Sequence, residues 1–400
     1  MTTIEKLLLV LNSAVYLALT IFSFAYVDLN LTLSQNKLLL NFVGIMQQLG
    51  YFNRPTATLI FAVLILTAFT FFVINLYLFL KKKASAAYLK CSIVTNTAIL
   101  IFAYPFLSYD LFNYMFDAKI ILTYHANPYT HRALDFPNDE WLRFMHWTHR
   151  YSPYGPLWLA GSLIPAALGL GKFLLNFLAF KVFISAFHLI NSYLIFKILG
   201  KINKKYQLLG TAFYSLNPIL LIEGVVNAHN DIVLASFMLA SIYFLTFNKK
   251  LLSYASIISG SLVKYIPVLV MGWLLRELIS DKKDVQRYTK WSLVTMIIFT
   301  YIFSSFKISV PFVSTGSTQV QFQPWYLFWT LPMVALLGNR LLATLAIAIS
   351  IGASLRYLPF LSYGDWSHSG TVLFMQIVLF LPSTLIAFSV LIKKLSFLRK

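Results

Sequence analysis

YPFLSYDLFNYMFDAKI, residues 104–120, begins where an apolar run ends and places Asp110 and Asp117 seven residues apart, in a chain with only 13 acidic residues. Seven residues is close to two helical turns, so both carboxylates project from one face of a helix. The run that delivers them, Ser92–Phe106, reads as a membrane-spanning helix. The chain around it agrees: of its 400 residues 59% are hydrophobic and 11% charged, with a mean hydropathy of +0.73. Soluble domains carry about 25% charged residues. The sequence therefore predicts an all-α polytopic membrane protein, and the fold turns on which side of the bilayer receives these acids.

A spanning helix needs about 20 apolar residues, and Lys and Arg gather in cytoplasmic loops. On those rules Leu7–Val27 leads outward as a retained first helix, and Thr58–Leu80 returns to Lys81, Lys82, Lys83 and Lys90. Ser92–Phe106 then leads out again. A polar excursion follows to about Tyr154; loops of this length in compact folds are commonly functional. Pro156–Leu170 reads as a surface or half-inserted segment, followed by Leu174–Ile198, Leu208–Leu221 and Ile232–Phe247. Leu251–Leu275 is too short for two full spans and reads as two short helices meeting near Lys264–Pro267, a break that membranes tolerate where it lines a polar cavity. Trp291–Phe306, Trp325–Leu337, Leu342–Phe360 and Thr371–Ile392 complete the bundle. The reading is one integral membrane domain: N-terminal helices 1–107, an extracytoplasmic loop 108–155, core helices 156–275 and C-terminal helices 276–400, with both termini cytoplasmic.

The net charge of +19 fits this topology and does not point to nucleic acid, whose familiar motifs are missing. Most of the acids, which were not used to set the orientation, fall on the outer side. The single cysteine, Cys91, permits no internal disulfide.

Five stretches meet on the outer side: SYDLFNYMFDAKIILTYHANPY (108–129), WTHRYSPYGPLW (147–158), EGVVNAHNDIV (223–233), GSLVKYIPV (260–268) and QVQFQPWYLFW (319–329). Each has a structural reading of its own. Asp110 and Asp117 could mark a solvated helix end, Asn230 or Asp231 a helix cap, Lys264 a snorkelling cation, and Trp141, Trp147, Trp325 and Trp329 an interfacial belt. His125, His131, His146 and His149 lack metal-ligand spacing, so no metal site is assigned. Ionisable groups at membrane depth nevertheless mark substrate sites by default. A carboxylate pair, a basic loop and a lysine at a broken helix together suit transfer chemistry on an anionic lipid head group.

These stretches resemble the GT-C superfamily of membrane glycosyltransferases, in particular the polyprenol-phosphate-mannose-dependent mannosyltransferases of bacterial lipoglycan synthesis. The family's post-helical acid, its "WDG+" element and its Asn-Pro-Tyr stand here as Asp110, Phe116-Asp117-Ala118-Lys119 and Asn127-Pro128-Tyr129. YSPYGPLW resembles its Tyr-Pro-Pro-Leu element, NPILLIEGVVNAHNDIVLASFMLA its E…H-N-D junction, SLVKYIPVLVM its K-x-P turn, and FQPWYLFWTLPMVAL its late PWY helix.

The resemblance implies a GT-C-like bundle of about 10–12 spans in a bacterial or archaeal cell membrane. It also implies transfer of a hexose, mannose in the mannosyltransferases that the stretches resemble, from a polyprenyl-phosphate-sugar to a hydroxyl of a glycan or glycolipid acceptor, with inversion. On that basis Asp110 is the general base and Lys264 and Arg150 hold the donor phosphate. Asp117, Tyr151, Glu223, His229, Asp231, Gln323, Trp325 and Tyr326 contact acceptor or sugar. No cofactor is required; magnesium or manganese stays open, since the first loop has no Asp-x-Asp. The alternatives are a transporter or flippase of lipid-linked sugars, or a polyprenyl-diphosphate-dependent glycan transferase or ligase.

Overall fold

The computed structural model describes residues 1–280, 283–305, 322–366, 368 and 370–398; the expected elements at 306 and 319–321 lie outside them. Among the described residues every regular element is helical: α1 (Thr3–Ser23), α2 (Lys37–Gln47), α3 (Arg54–Leu80), α4 (Ala86–Ile101), α5 (Asp110–Leu122), α6 (Pro156–Leu168), α7 (Phe173–Ile202), α8 (Gln207–Ser215) and α9 (Pro218–Leu221). They continue as α10 (Asp231–Thr246), α11 (Lys250–Val263), α12 (Val268–Ile279), α13 (Val285–Ser305), α14 (Leu331–Leu337), α15 (Arg340–Leu355), α16 (Leu358–Tyr363) and α17 (Thr371–Leu398). The all-α polytopic class expected from composition is what the chain adopts.

Five segments are long and apolar enough to cross a bilayer: Thr3–Tyr26, Arg54–Leu80, Phe173–Ile202, Arg340–Tyr363 and Thr371–Val390. Shorter apolar helices, among them Ala86–Ile101, Asp231–Thr246 and Lys250–Val263, pack alongside them and one another. At about 1.5 Å per residue, 16 residues reach only about 24 Å. Short helices of this kind bring their ends, and the polar groups on those ends, into the body of the protein.

Two ties show that α1 and α4 run parallel. At their starts, Thr2 and Glu5 form a reciprocal cap, and Glu5 also accepts from the Ser85 N–H at 2.6 Å. At their ends, the Tyr104 N–H donates to Ser23 Oγ at 2.8 Å. Asp110 therefore emerges on the face where α1 ends. The α8–α9 pair is bent by 52° at Leu216–Asn217. Asn217 begins the new helix by accepting from the Ile219 N–H, with Pro218 at the first helical position, where its missing N–H costs nothing.

Several expectations are corrected in detail. The run Leu208–Leu221 is this bent pair rather than one helix. Trp325–Leu337 opens as a 3₁₀ turn, Pro324–Trp329, and becomes α-helical only from Leu331. Leu342–Phe360 breaks at Arg356–Tyr357 between α15 and α16. The α11–α12 break falls at Lys264–Pro267, where the sequence placed it.

Candidate active site

Helix α5 starts on Asp110, which puts a carboxylate in its first turn, where the unpaired N–H groups favour negative charge. About two and a half turns further on, Lys119 reaches out of the helix to Asp139 at 2.6 Å and lies 4.1 Å over the Trp141 ring. Asp139 also accepts from the Tyr124 hydroxyl (2.7 Å) and the Trp141 N–H (2.7 Å), so the excursion 123–154 is fastened to α5. Its far end docks on α11: the Gly155 N–H donates to the Val263 carbonyl at 3.0 Å. A Cβ at Gly155 would sit 2.1 Å from the Leu262 carbonyl oxygen, so only glycine permits this approach.

The second component is the junction between α9 and α10. After a π turn at Ile222–Val226 the chain passes through Ala228, held at φ +56°, a conformation that non-glycine residues adopt at a cost. That twist carries His229 back under the site. Its Nδ1 lies 3.4 Å from Asp110 Oδ2 and its Nε2 lies 3.3 Å from Glu223 Oε2, while its ring stacks on Trp325 with centroids 4.1 Å apart. Glu223 further accepts from Asn227 Nδ2 and from the Tyr357 hydroxyl, each at 2.9 Å. Asn227 in turn accepts from the Leu107 N–H at 3.3 Å, tying the junction to the residues just before Asp110. Asp231 is fully buried between Lys264 Nζ (2.5 Å) and Trp329 Nε1–H (2.8 Å). Asn230 stands at the N-cap of α10, but its side chain makes no capping bond, and Asp231 is engaged elsewhere; the capping expectation is corrected.

The electrostatics follow from these neighbours. Burial alone would raise the Asp110 carboxyl, but His229, Lys264 and Arg150 together hold it below the usual carboxylate range. It is an anion at neutral pH. Burial works against charge on His229 too, and the Asp110 and Glu223 carboxylates overcome it, raising the imidazole to about 9. Asp117 has no such cation. Burial pushes it up to about 7, opposed only by Ser152.

A cavity of about 890 Å³ opens beside Asp110, within the size range of small-ligand sites. Asp110, Asp117, Arg150, Tyr151, Gln323, Trp325 and Tyr326, all singled out in the sequence, line it. Glu223, His229 and Asp231 stand behind the wall, fully buried. Lys264 is not on the cavity surface; its ammonium is taken up by Asp231. Of the four tryptophans read as a membrane belt, Trp147 lines the cavity under Arg150 (4.3 Å), Trp325 packs on His229 and Trp329 holds Asp231. Among the described residues no group of three or more His, Cys, Asp or Glu is arranged to hold a metal ion.

Three participants were missed. Arg356 and Tyr357, from the break between α15 and α16, line the cavity, and the Tyr357 hydroxyl bonds Glu223 of the junction. Lys181, fully buried in α7, donates to the Val225 and Val226 carbonyls, the latter at 2.6 Å, and so caps the π turn that precedes His229. For Arg356 and Lys181 the available signal was the charge itself: each is a lone cation inside an apolar run, which by default marks function.

Neither a curated protein nor a solved structure matches this chain. Residues 13–279 match the MptA_B family, described as alpha-(1→6)-mannopyranosyltransferase, N-terminal domain, a match that takes in Asp110, the excursion, the His229 junction and Lys264. The five apolar spans, the buried acid–histidine cluster beside a cavity and this match together place the chain in the MptA_B family of mannosyltransferases.

Proposed function

We propose that the protein transfers mannose from a polyprenyl-phosphate-linked donor to a hydroxyl acceptor on the extracytoplasmic side of the membrane, with inversion at the anomeric carbon. The observation that carries this reading is an ionised Asp110 on the wall of a cavity large enough for a sugar and an acceptor hydroxyl. The acceptor oxygen attacks C1 from the face opposite the phosphate, and the C1–O bond to phosphate breaks with its electron pair leaving on the phosphate oxygen. Asp110 takes the hydroxyl proton as it becomes acidic in the transition state. His229 stands against the outer side of Asp110 and stabilises the carboxylate in place.

Asp117, Tyr151, Gln323, Trp325 and Tyr326 surround the space left for the sugars; aromatic faces and carboxylates there suit carbohydrate hydroxyls and C–H groups. Arg150 at the cavity wall offers positive charge to the donor. Lys264 acts as the counter-ion of Asp231 and adds to the field that keeps Asp110 ionised. The acids gather at one end of the bundle, which suits a site served from one side better than a transport path through its middle.

The test is transfer by purified protein from mannosyl polyprenyl phosphate compared with a nucleotide-diphosphate mannose. Turnover from the lipid donor is expected; efficient use of the nucleotide sugar would overturn the donor assignment.

A further inference from the structure

Besides His229, which sits between two carboxylates, two cationic side chains are buried among the described residues, Lys181 and Arg356. Lys181 is satisfied by two carbonyls and does not reach the cavity. Arg356 is different. It is 5% exposed, it lines the cavity, and no described carboxylate lies within ion-pair distance of it. Only Nη1 is occupied, donating to the Phe322 carbonyl and to Gln323 Oε1 at 3.1 Å. Its Nε has no partner, and the guanidinium rests 5.9 Å from the Trp366 ring centroid. The nearby Glu223 is already engaged by His229, Asn227 and Tyr357. Gln323 and the Phe322 carbonyl therefore fix one terminal nitrogen of the fork, while the enclosed Nε and the other terminal nitrogen, Nη2, make no hydrogen bond among the described residues.

A guanidinium nitrogen offers a phosphate a charge-assisted hydrogen bond. A buried guanidinium without a counter-ion is costly to keep unless a ligand anion completes it. Phe360, Val372 and Met375 line the same cavity beside Arg356, so its charge adjoins an apolar lining. That pairing of one fixed cation with hydrocarbon fits a phosphate carrying an isoprenoid chain.

We propose that Arg356 is the phosphate anchor of the lipid-linked donor, holding the phosphate through the terminal guanidinium nitrogen left unbonded and stabilising the charge that builds there as the sugar departs. The proposal rests on the donor class given under Proposed function. The donor phosphodiester carries one negative charge; once the C1–O bond breaks, the lipid monophosphate carries a second, and the proton released by the acceptor is on Asp110. Arg356 thus binds the leaving group more strongly as it forms, which lowers the barrier as well as the donor KM.

The experiment measures binding of farnesyl phosphate, farnesol and inorganic phosphate to the full-length protein in detergent, for wild type, Arg356→Gln, Arg356→Lys and Asp110→Asn. Wild type and Asp110→Asn should prefer farnesyl phosphate to farnesol by tenfold or more. Arg356→Gln should lose that preference and still bind farnesol like wild type. Should Arg356→Gln fail to fold, Arg356→Lys decides: the charge stays but the fork is gone, so the donor KM should rise three- to tenfold with the acceptor KM unchanged. Wild-type preference for farnesyl phosphate in Arg356→Gln, or an unchanged donor KM in Arg356→Lys, overturns the anchor while turnover from mannosyl polyprenyl phosphate keeps the donor class intact. Inorganic phosphate bound as tightly as farnesyl phosphate would mark a free-phosphate site and overturn the lipid assignment. A wild type that transfers only from nucleotide sugar removes the donor class and the anchor together.

Discussion

The two walls of the cavity are built on opposite principles. On the wall made by α5 and the α9–α10 junction, each of three carboxylates has a cationic neighbour: Asp110 and Glu223 share His229, Glu223 also accepts from Asn227 and Tyr357, and Asp231 meets Lys264 and Trp329. The rest of the lining, from Gln323 to Met375, touches that wall through Trp325 on His229 and Tyr357 on Glu223, and holds one buried cation without an ion-pair partner among aromatic and aliphatic side chains. A network of close charges holds geometry and keeps one carboxylate ionised, which is what a base requires. An unsaturated cation waits for an anion from outside. On this view the first wall does the proton chemistry and the second receives the lipid phosphate.

The most severe way to break the first wall is at its reacting atom. Asp110→Asn keeps the shape and removes the proton acceptor, and loss of a positioned general base costs about 10²–10⁴ in rate. Turnover from mannosyl polyprenyl phosphate should fall by that amount with the detergent melting temperature within a few degrees of wild type. A variant that turns over normally would remove Asp110 from the chemistry and leave the matched wall as scaffold.

Lys264 tests which wall a cation belongs to. Breaking a buried ion pair from one side costs about 3–5 kcal/mol; with the Lys264 side chain 21% exposed, the lower end applies. Lys264→Met should therefore lower stability by about 3 kcal/mol, and adding Asp231→Asn should restore much of it, since the second change removes the stranded charge. Donor and acceptor KM should shift together. A rise confined to the donor would return Lys264 to the phosphate.

How much of this could be read from the sequence divides along the same line. The elements with local signals were legible: long apolar runs, the Lys264–Pro267 break, and the acids of 108–129, because helix length and interruption are written in neighbouring residues. The capping reading of Asn230 failed because its backbone N–H meets Tyr114, 116 positions earlier, and Asp231 meets Trp329, 98 later. Pairings over such separations leave no periodic trace. Arg356 and Lys181 were lost for the opposite reason: apolar length carried the threading straight over them. The 3₁₀ turn at Pro324–Trp329 was hidden likewise, since aromatic content reads the same in either geometry.

A smaller effect is expected where the excursion docks on α11. Gly155→Ala puts a methyl 2.1 Å from the Leu262 carbonyl oxygen, so the chain must move to relieve it. Overpacking of this kind costs about 1–3 kcal/mol. Because Ser152, Pro153 and Tyr154 line the cavity just upstream, the acceptor KM should rise more than the donor KM. An unchanged melting temperature and unchanged kinetics would show that the contact does not hold the loop.

The mildest perturbation concerns the one acid on the first wall that lacks a cation. Asp117, raised to about 7 by burial, holds its proton in the folded protein at pH values where the unfolded chain, with a carboxyl near 3.8, has released it. The folded state therefore binds more protons between pH 4 and 7, and stability contributed by this group falls as pH rises across that window and levels off above it. Asp117→Asn removes the titrating group without changing its size. Relative to wild type, its melting temperature should gain steadily from about pH 5 to pH 7 and then run parallel. A constant difference over the whole range would mean that Asp117 is ionised throughout and has a cationic partner, which would make the first wall matched at every acid.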